Sequence, residues 1–295
     1  MDTILGVPVQ VLLGQMLLGL VNGSFYAMLS LGLAVIFGLL NVINFAHGTL
    51  YMMGAYGAWM LAQWAGVGFW WSLVIAPLGT AVVGVLVEKL FLRWIYHLDH
   101  LYGLLLTIGF AWVVEGIYRD QFGSGGQPYP APDILSGASD LGFMILPDYR
   151  GFVVVASLVV CFATWFAIER TRLGAYLRAA TENPKVVQAF GINEPVMLTL
   201  TYAFGVGLAG LAGVLAAPVI QITPLMGSNV IIVVFAVVVI GGLGSIAGAI
   251  VSGIALGVLE GLTKVFWPEA SSTVVFVIMA IVLLVRPAGL FGKEK

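Results

Sequence analysis

The chain has 295 residues, of which 61% are hydrophobic and only 9% are charged, whereas soluble proteins carry roughly 25% charged residues. Its net charge of −2 predicts that the chain has no nucleic-acid partner. No Asp, Glu, Lys or Arg occurs across residues 3–87 or 195–259, and stretches of that length exceed what a soluble core holds. The composition therefore predicts an all-α, polytopic membrane protein, embedded in the lipid bilayer as one transmembrane domain over residues 1–295.

Apolar runs, divided at polar residues, glycines and prolines, give the predicted transmembrane helices in chain order. We expect eight or nine of them, near residues 18–41, 49–65, 69–92, 101–118, 151–168, 196–217, 228–243, 246–262 and 273–287. The first run as one helix over residues 9–41 would be about 50 Å long, which exceeds one upright span. We therefore predict a break in this helix near Asn22, Gly23 and Ser24.

The distribution of charge predicts which loops face the cytoplasm. Lys and Arg cluster at residues 89–93, 170–185 and 286–295, and the positive-inside rule places such segments on the cytoplasmic side. The segment 119–150 has two cations against four aspartates and several prolines, which is typical of an ordered external loop. We therefore expect a cytoplasmic loop over residues 169–194 and a cytoplasmic C-terminus.

The loop over residues 169–194 contains residues typical of the start and the end of one short helix. Asn183 can cap a helix that begins at Pro184, where a missing N–H costs nothing, and Gly191 supplies a left-handed stop after Phe190. A helix of about seven residues is unstable alone in water, so it must pack on other groups. Its apolar side chains, Val187 among them, leave two alternatives: a helix on lipid headgroups, or a helix inserted in a protein groove.

Glycines recur at helical spacing in the last third of the chain. Small residues at every fourth position let two helix backbones approach closely within a membrane. We predict helix packing through Gly244, Gly248, Gly253, Gly257 and Gly261. The segment 205–210 matches G-x-G-x-x-G, but it lies in a charge-free helix with no preceding strand, which favours packing over nucleotide binding.

The acidic residues predicted nearest to membrane depth are Glu115 and Glu260. Each has a cation four positions later, Arg119 and Lys264, so we expect local ion pairs, with a proton or ion site as the alternative. No spacing typical of a catalytic metal or of nucleophilic catalysis occurs in the chain. We therefore expect no enzymatic activity, no metal and no cofactor.

A polar group precedes the second predicted helix. Asn41, Asn44 and His47 place amide and imidazole groups at the inner end of the first spans. Such side chains either line a pathway for a small solute or satisfy the polar backbone of a broken helix end. The sequence leaves both alternatives open.

Three stretches carry a family resemblance. The first is Asn22-Gly-Ser-Phe-Tyr-Ala-Met with Ile43-Asn-Phe-Ala-His-Gly and Met53-Gly-Ala-Tyr, and the second runs from Gly174 through Ala-Thr-Glu-Asn-Pro to Gly191-Ile192. The third is Phe235-Ala-Val-Val-Val-Ile-Gly-Gly-Leu-Gly-Ser-Ile-Ala-Gly. Together they resemble the permeases of ABC importers, specifically the high-affinity branched-chain amino acid (Liv-type) family.

The resemblance implies a permease subunit of an ATP-driven importer for branched-chain or other small amino acids, in a bacterial inner membrane. It implies as partners a second related permease, two cytoplasmic ATP-binding subunits and an external solute-binding protein. This agrees with the absence of G-x-x-x-x-G-K-[ST] from the chain. An ion-gradient-driven transporter or channel is the alternative. The residues assigned to ATPase contact by the resemblance are Arg178, Glu182, Asn183, Pro184, Val187, Phe190 and Gly191.

Overall fold

The computed structural model of the chain describes residues 3–4, 6–40, 42–96, 98–182, 184–191 and 193–292. Almost all regular structure in these residues is helical. The helices are α1 (Val9–Leu40), α2 (Ala46–Ala65), α3 (Phe69–Val87), α4 (Arg93–Ile95), α5 (His100–Phe122), α6 (Asp148–Arg170), α7 (Arg172–Glu182), α8 (Pro184–Ala189), α9 (Glu194–Ala216), α10 (Met226–Gly241), α11 (Ile246–Phe266) and α12 (Val274–Val285). A π-helical turn, Glu88–Leu92, joins α3 to α4.

Six helical segments of the described chain are long and apolar enough to cross a membrane. They are Val9–Leu40, Phe69–Ile95, Leu101–Phe122, Asp148–Arg170, Glu194–Ala216 and Ile246–Phe266. The apolar helices α10 and α12 are shorter, and α2 is a largely buried helix of 20 residues. Every predicted span overlaps one of these helices, which confirms the all-α polytopic fold class.

The predicted break in the first helix is wrong. Helix α1 runs without interruption for 32 residues, through Asn22, Gly23 and Ser24. The Ser24 hydroxyl donates to the Val21 carbonyl at 2.7 Å, so the polar side chain is satisfied within the helix. A Cβ on Gly23 would lie 2.9 Å from the Ile254 carbonyl oxygen, so this glycine permits close packing on α11.

The described contacts divide into two compact units. Unit 1 comprises Met1–Ser30, Pro130–Cys161 and Val233–Lys295. Its core holds Ala236, Val237, Ile240, Leu256 and Val275. Short strands form a hairpin in this unit: β3 (Ala138–Asp140) pairs antiparallel with β4 (Ile145–Pro147), in the segment predicted to be an ordered loop. Two further strands, β1 (Thr3–Ile4) and β2 (Val7–Pro8), pair near the N-terminus.

Unit 2 comprises Leu31–Tyr129 and Phe162–Ile232, and α9 is its central helix. Helix α9 packs against both α2 and α3, and its buried face includes Tyr202, Val206 and Leu215. Asn193 caps the start of α9, where its side chain accepts from the Val196 N–H at 3.3 Å. This packing positions Thr199 and Tyr202, two polar residues of α9.

Candidate functional site

In the segment 169–194, α7 follows α6 after a single intervening residue, Thr171. Gly174 lies so close to the carbonyl of Ile168 that a Cβ at this position would overlap the Ile168 backbone. The Arg178 guanidinium donates to the same carbonyl at 2.8 Å and lies 3.5 Å from the Glu169 carboxylate. Gly174 and Arg178 therefore hold α7 against the end of α6, and Arg178 makes its polar contacts within the chain.

Helix α8 ends as the sequence predicts. Gly191 has φ of +78°, so the predicted left-handed stop is confirmed. The N–H groups of Phe190 and Gly191 bond to the carbonyls of Val187 and Gln188 at 3.1 and 2.9 Å. The Gln188 amide donates to the Glu194 carboxylate at 2.7 Å, and this bond ties the end of α8 to the first turn of α9.

The two apolar side chains assigned to ATPase contact differ in exposure. Phe190 is 80% exposed, whereas Val187 is only 5% exposed. The folded chain therefore buries the Val187 side chain, which in this conformation is not exposed for the assigned ATPase contact. Asn183 and the side chains of Glu182 and Pro184 lie outside the described residues, so the predicted cap at Asn183 remains a prediction.

Two members of the polar group, Asn44 just before α2 and His47 in its first turn, are fully buried in unit 2. The Asn44 amide nitrogen donates to the Tyr202 hydroxyl at 3.2 Å, and no described residue donates to the Asn44 Oδ1. The His47 imidazole lies beside Gly32, where a Cβ would come within 3.0 Å of its Cε1 atom. Asn41 lies outside the described residues. Asn44 and Tyr202 thus link the connection between α1 and α2 to α9.

Glu88, in the π-helical turn, is a site residue that the sequence analysis missed. Its carboxylate is 1% exposed and accepts from the Thr199 hydroxyl at 2.8 Å and the Tyr96 hydroxyl at 3.3 Å. Burial, followed by the nearby Glu88 carboxylate, raises the pKa of Tyr96. One feature of the sequence could have identified Glu88: it is the first charged residue after an 85-residue charge-free run, residues 3–87.

The predicted local pairs of the other two glutamates are confirmed. Arg119 lies 2.9 Å from Glu115, and Lys264 lies 2.6 Å from Glu260. Each glutamate also accepts from a hydroxyl group of another helix, which the sequence did not predict. The Ser228 hydroxyl donates to Glu115 at 2.6 Å, and the Tyr26 hydroxyl donates to Glu260 at 2.9 Å. Because both carboxylate oxygens are used, these glutamates act as links between helices in this conformation.

Three of the five glycines assigned to helix packing lie on the face of α11 that contacts α1. A Cβ on Gly253 would lie 2.5 Å from the Ala27 nitrogen, and Cβ atoms on Gly257 and Gly261 would overlap the α1 backbone. Gly248 packs against Gly241 instead. Gly244 lies outside α11, in the preceding turn, with φ of +83°. Its role is therefore conformational, because only glycine adopts this geometry without strain.

Glycines of α9 provide close contacts in unit 2. A Cβ on Gly205 would lie 2.6 Å from Ile36, and one on Gly210 would lie 2.9 Å from Thr80. These contacts confirm that the G-x-G-x-x-G motif of residues 205–210 serves helix packing.

Comparisons with known proteins agree with this helical architecture. A family model described as the permease component of branched-chain amino acid transport systems matches residues 15–284. LivH of Escherichia coli (strain K12), a high-affinity branched-chain amino acid transport system permease protein, is 29% identical over 300 residues, which cover 96% of each chain. BraD of Pseudomonas aeruginosa, a permease protein of the same description, is 30% identical, again over 96% of each chain.

A second type of relative matches less closely. LivM of Escherichia coli (strain K12), also described as a permease protein of this transport system, is 27% identical over 92% of this chain and 68% of its own length. No solved structure matches the chain. The family match covers nearly the whole polypeptide and agrees with its apolar helices, which indicates a multi-pass membrane protein. The chain belongs to the family of permease components of branched-chain amino acid transport systems.

Proposed function

We propose that the chain is the permease subunit of an ATP-driven importer in a bacterial inner membrane, with branched-chain or other small amino acids as its solutes. The observation that carries the proposal is the projection of Phe190 from the end of α8, immediately before the left-handed Gly191. An exposed aromatic side chain on a short, well-delimited helix suits insertion into a groove of a cytoplasmic ATP-binding subunit. The ATP site then lies on that partner.

The contacts of α7 and α8 provide a route from the ATP-binding subunit to the membrane. Arg178 links α7 to the end of α6, and Gln188 links α8 to Glu194 at the start of α9. A displacement of this loop by ATP-driven closure is therefore passed to two spanning helices. The solute pathway changes its open side by a shift between two conformations, each stabilised by different contacts of these helices.

In this proposal, the shift between the two conformations changes the polar contacts of α9. Tyr202 is bonded to Asn44, and Thr199 is bonded to Glu88. Complete burial of Asn44 and His47 favours a role in holding this conformation together. The proposal also keeps a pathway role for Asn41, Asn44 and His47. In that role, a second conformation exposes Asn44 and His47 to the solute.

The proposed complex contains four kinds of component. The similarity of the chain to both LivH and LivM supports pairing with a second, related permease. Two ATP-binding subunits lie on the cytoplasmic side, where the loop over residues 169–194 makes the contact, and a solute-binding protein docks on the external side. Because that protein selects the solute before delivery, the choice among amino acids rests largely with it.

The composition of the complex is tested by purification and reconstitution. We expect a tagged chain, isolated from its native membrane, to bring down ATP-binding subunits and a second permease. Proteoliposomes that hold all the components should import an amino acid only with ATP inside and the solute-binding protein outside. Transport by the single polypeptide along an ion gradient would contradict the proposal.

The proposed topology is tested by cysteine labelling in a Cys161→Ser background, because Cys161 is the single cysteine of the chain. With an impermeant maleimide added to spheroplasts, Ile134→Cys should react and Phe190→Cys should react only after the membrane is permeabilised. Both side chains are exposed, at 81% and 80%, so access to the reagent decides the result. Labelling of position 190 from outside would reverse the proposed orientation.

A further inference from the structure

A groove of about 450 Å³ lies between the π-helical turn after α3 and the first turns of α9. Lys89 and Arg93 line one side of it, four positions apart on one face. Both side chains are exposed, and neither forms an ion pair with any residue that the structure describes. The groove therefore presents two positive charges that are available to an anion.

The anionic residues near the groove accept hydrogen bonds from other groups. The Glu88 carboxylate is buried and accepts from the hydroxyls of Tyr96 and of Thr199, which also lines the groove. The Glu194 carboxylate accepts from the Gln188 amide. Glu88 is thus buried, whereas the two cations that neighbour it in sequence are exposed.

Besides the polar residues Asn193 and Thr199, the rest of the groove lining is apolar and belongs to spanning helices. Val85 of α3 and Val196 and Leu200 of α9 line it. Leu200 is 62% exposed although it lies within the segment Glu194–Ala216, one of the membrane-crossing candidates. Lys89 and Arg93 lie near the end of the span Phe69–Ile95, where cations are expected at the level of the headgroups, and Leu200, further into its own span, is expected at the level of the acyl chains.

We propose that this groove binds an anionic phospholipid. The phosphate lies between Lys89 and Arg93, and an acyl chain covers Val85, Val196 and Leu200. Basic pockets between spanning helices are suited to such headgroups, because the cations neutralise the phosphate where the local dielectric is low. The apolar strip favours a lipid over free phosphate, which has no chain to bury. Its membrane depth favours a lipid over an acidic segment of a soluble protein.

The proposal predicts selective lipid retention by the full-length chain, measured by native mass spectrometry in detergent during titration with phosphatidylglycerol or phosphatidylcholine. The wild-type chain should retain phosphatidylglycerol preferentially. Lys89→Gln combined with Arg93→Gln should weaken this binding roughly tenfold, because two surface cations are removed. Leu200→Ser should weaken it less. The matched control is Arg170→Gln combined with Arg172→Gln, which removes the same charge outside the groove and should change binding less than about twofold.

Several outcomes would overturn the lipid site. Equal weakening by both double variants would show general electrostatic attraction instead of a groove. Displacement of phosphatidylglycerol by inorganic phosphate, together with no effect of Leu200→Ser, would assign the cations to a small anion. Unchanged lipid binding with loss of a co-purifying subunit would assign them to a protein partner. Thermal unfolding of each variant, with an unchanged midpoint, confirms that the comparison concerns folded chains.

Discussion

Phe190→Asp is expected to abolish binding of the ATP-binding subunits while the chain still folds and inserts. Phe190 is 80% exposed in the isolated chain, so the substitution removes no internal packing. In the proposed complex the same position is enclosed by a partner groove, where an unpaired carboxylate costs several kcal/mol. Solute-stimulated ATP hydrolysis should fall to background for the same reason.

The measurement is co-purification of ATP-binding subunits, together with ATP hydrolysis by the complex in nanodiscs. Ile134→Asp is the matched control, because Ile134 is 81% exposed and lies in the segment predicted to be external. It should leave both quantities near the wild-type values. If Phe190→Asp also leaves them unchanged, α8 lies on lipid headgroups or is free in water, and the proposed coupling contact is incorrect.

A second substitution separates the shape of this loop from its apolar contact. Gly191→Val places a β-branched side chain at φ of +78°, at a cost of about 1–2 kcal/mol. It keeps Phe190, so we expect a milder loss of subunit binding than Phe190→Asp produces. The same co-purification assay, at several concentrations of added ATP-binding subunit, distinguishes weakened binding from abolished binding.

Gly257→Leu is expected to have the largest effect on the fold. A Cβ on Gly257 would overlap the backbone of Gly23, and leucine adds three further carbon atoms at this contact between α1 and α11. The backbones cannot separate without loss of the neighbouring contacts at Gly253 and Gly261. Overpacking of this kind typically costs 1–3 kcal/mol, and a backbone obstruction costs more, so the yield of folded protein should fall severalfold.

The yield of monodisperse protein in size-exclusion chromatography and the midpoint of thermal unfolding test this expectation. Gly109→Leu is the control, because Gly109 lies in spanning helix α5 and a Cβ there would meet nothing within 4 Å. It makes the same chemical change in open space and should be tolerated. Normal yield and stability of Gly257→Leu would show that α1 and α11 do not meet as the structure places them.

The glycine pattern around Gly257 predicts some features of the helix contact and not others. The spacing of Gly253, Gly257 and Gly261 predicts a close contact and the face of the helix that makes it. It does not identify α1 as the partner, because any helix with a compatible surface satisfies the same pattern. Gly244 and Gly248 show the same four-residue spacing, yet Gly244 lies in a turn. Periodicity alone does not show where a helix begins.

The predicted break in α1 failed for a different physical reason. Upright spans need about 20 residues, so a run of more than 30 residues suggested two pieces. Tilt and burial within the protein relax that limit. Once Gly23 packs on α11 and Ser24 bonds to Val21, nothing in the described helix requires a break.

The sequence by itself determined the features that depend on composition or on neighbours along the chain. Its apolar runs predicted helices in lipid, Gly191 predicted a left-handed helix end, and the spacing of Glu115 with Arg119 predicted an ion pair on one helical face. Each of these three features follows from solvation or from backbone geometry within a few residues. None of them depends on which helices meet.

Only the tertiary structure decided the contacts between distant residues. It buried Val187 while it left Phe190 exposed, and it linked Glu88 to Thr199, 111 positions away. The hydrophobic effect does not select partners among helices that are apolar on every side, because lipid and protein offer similar surroundings. Close packing of glycine-lined faces and the need to satisfy each buried polar group make that selection, and both arise only in the assembled fold.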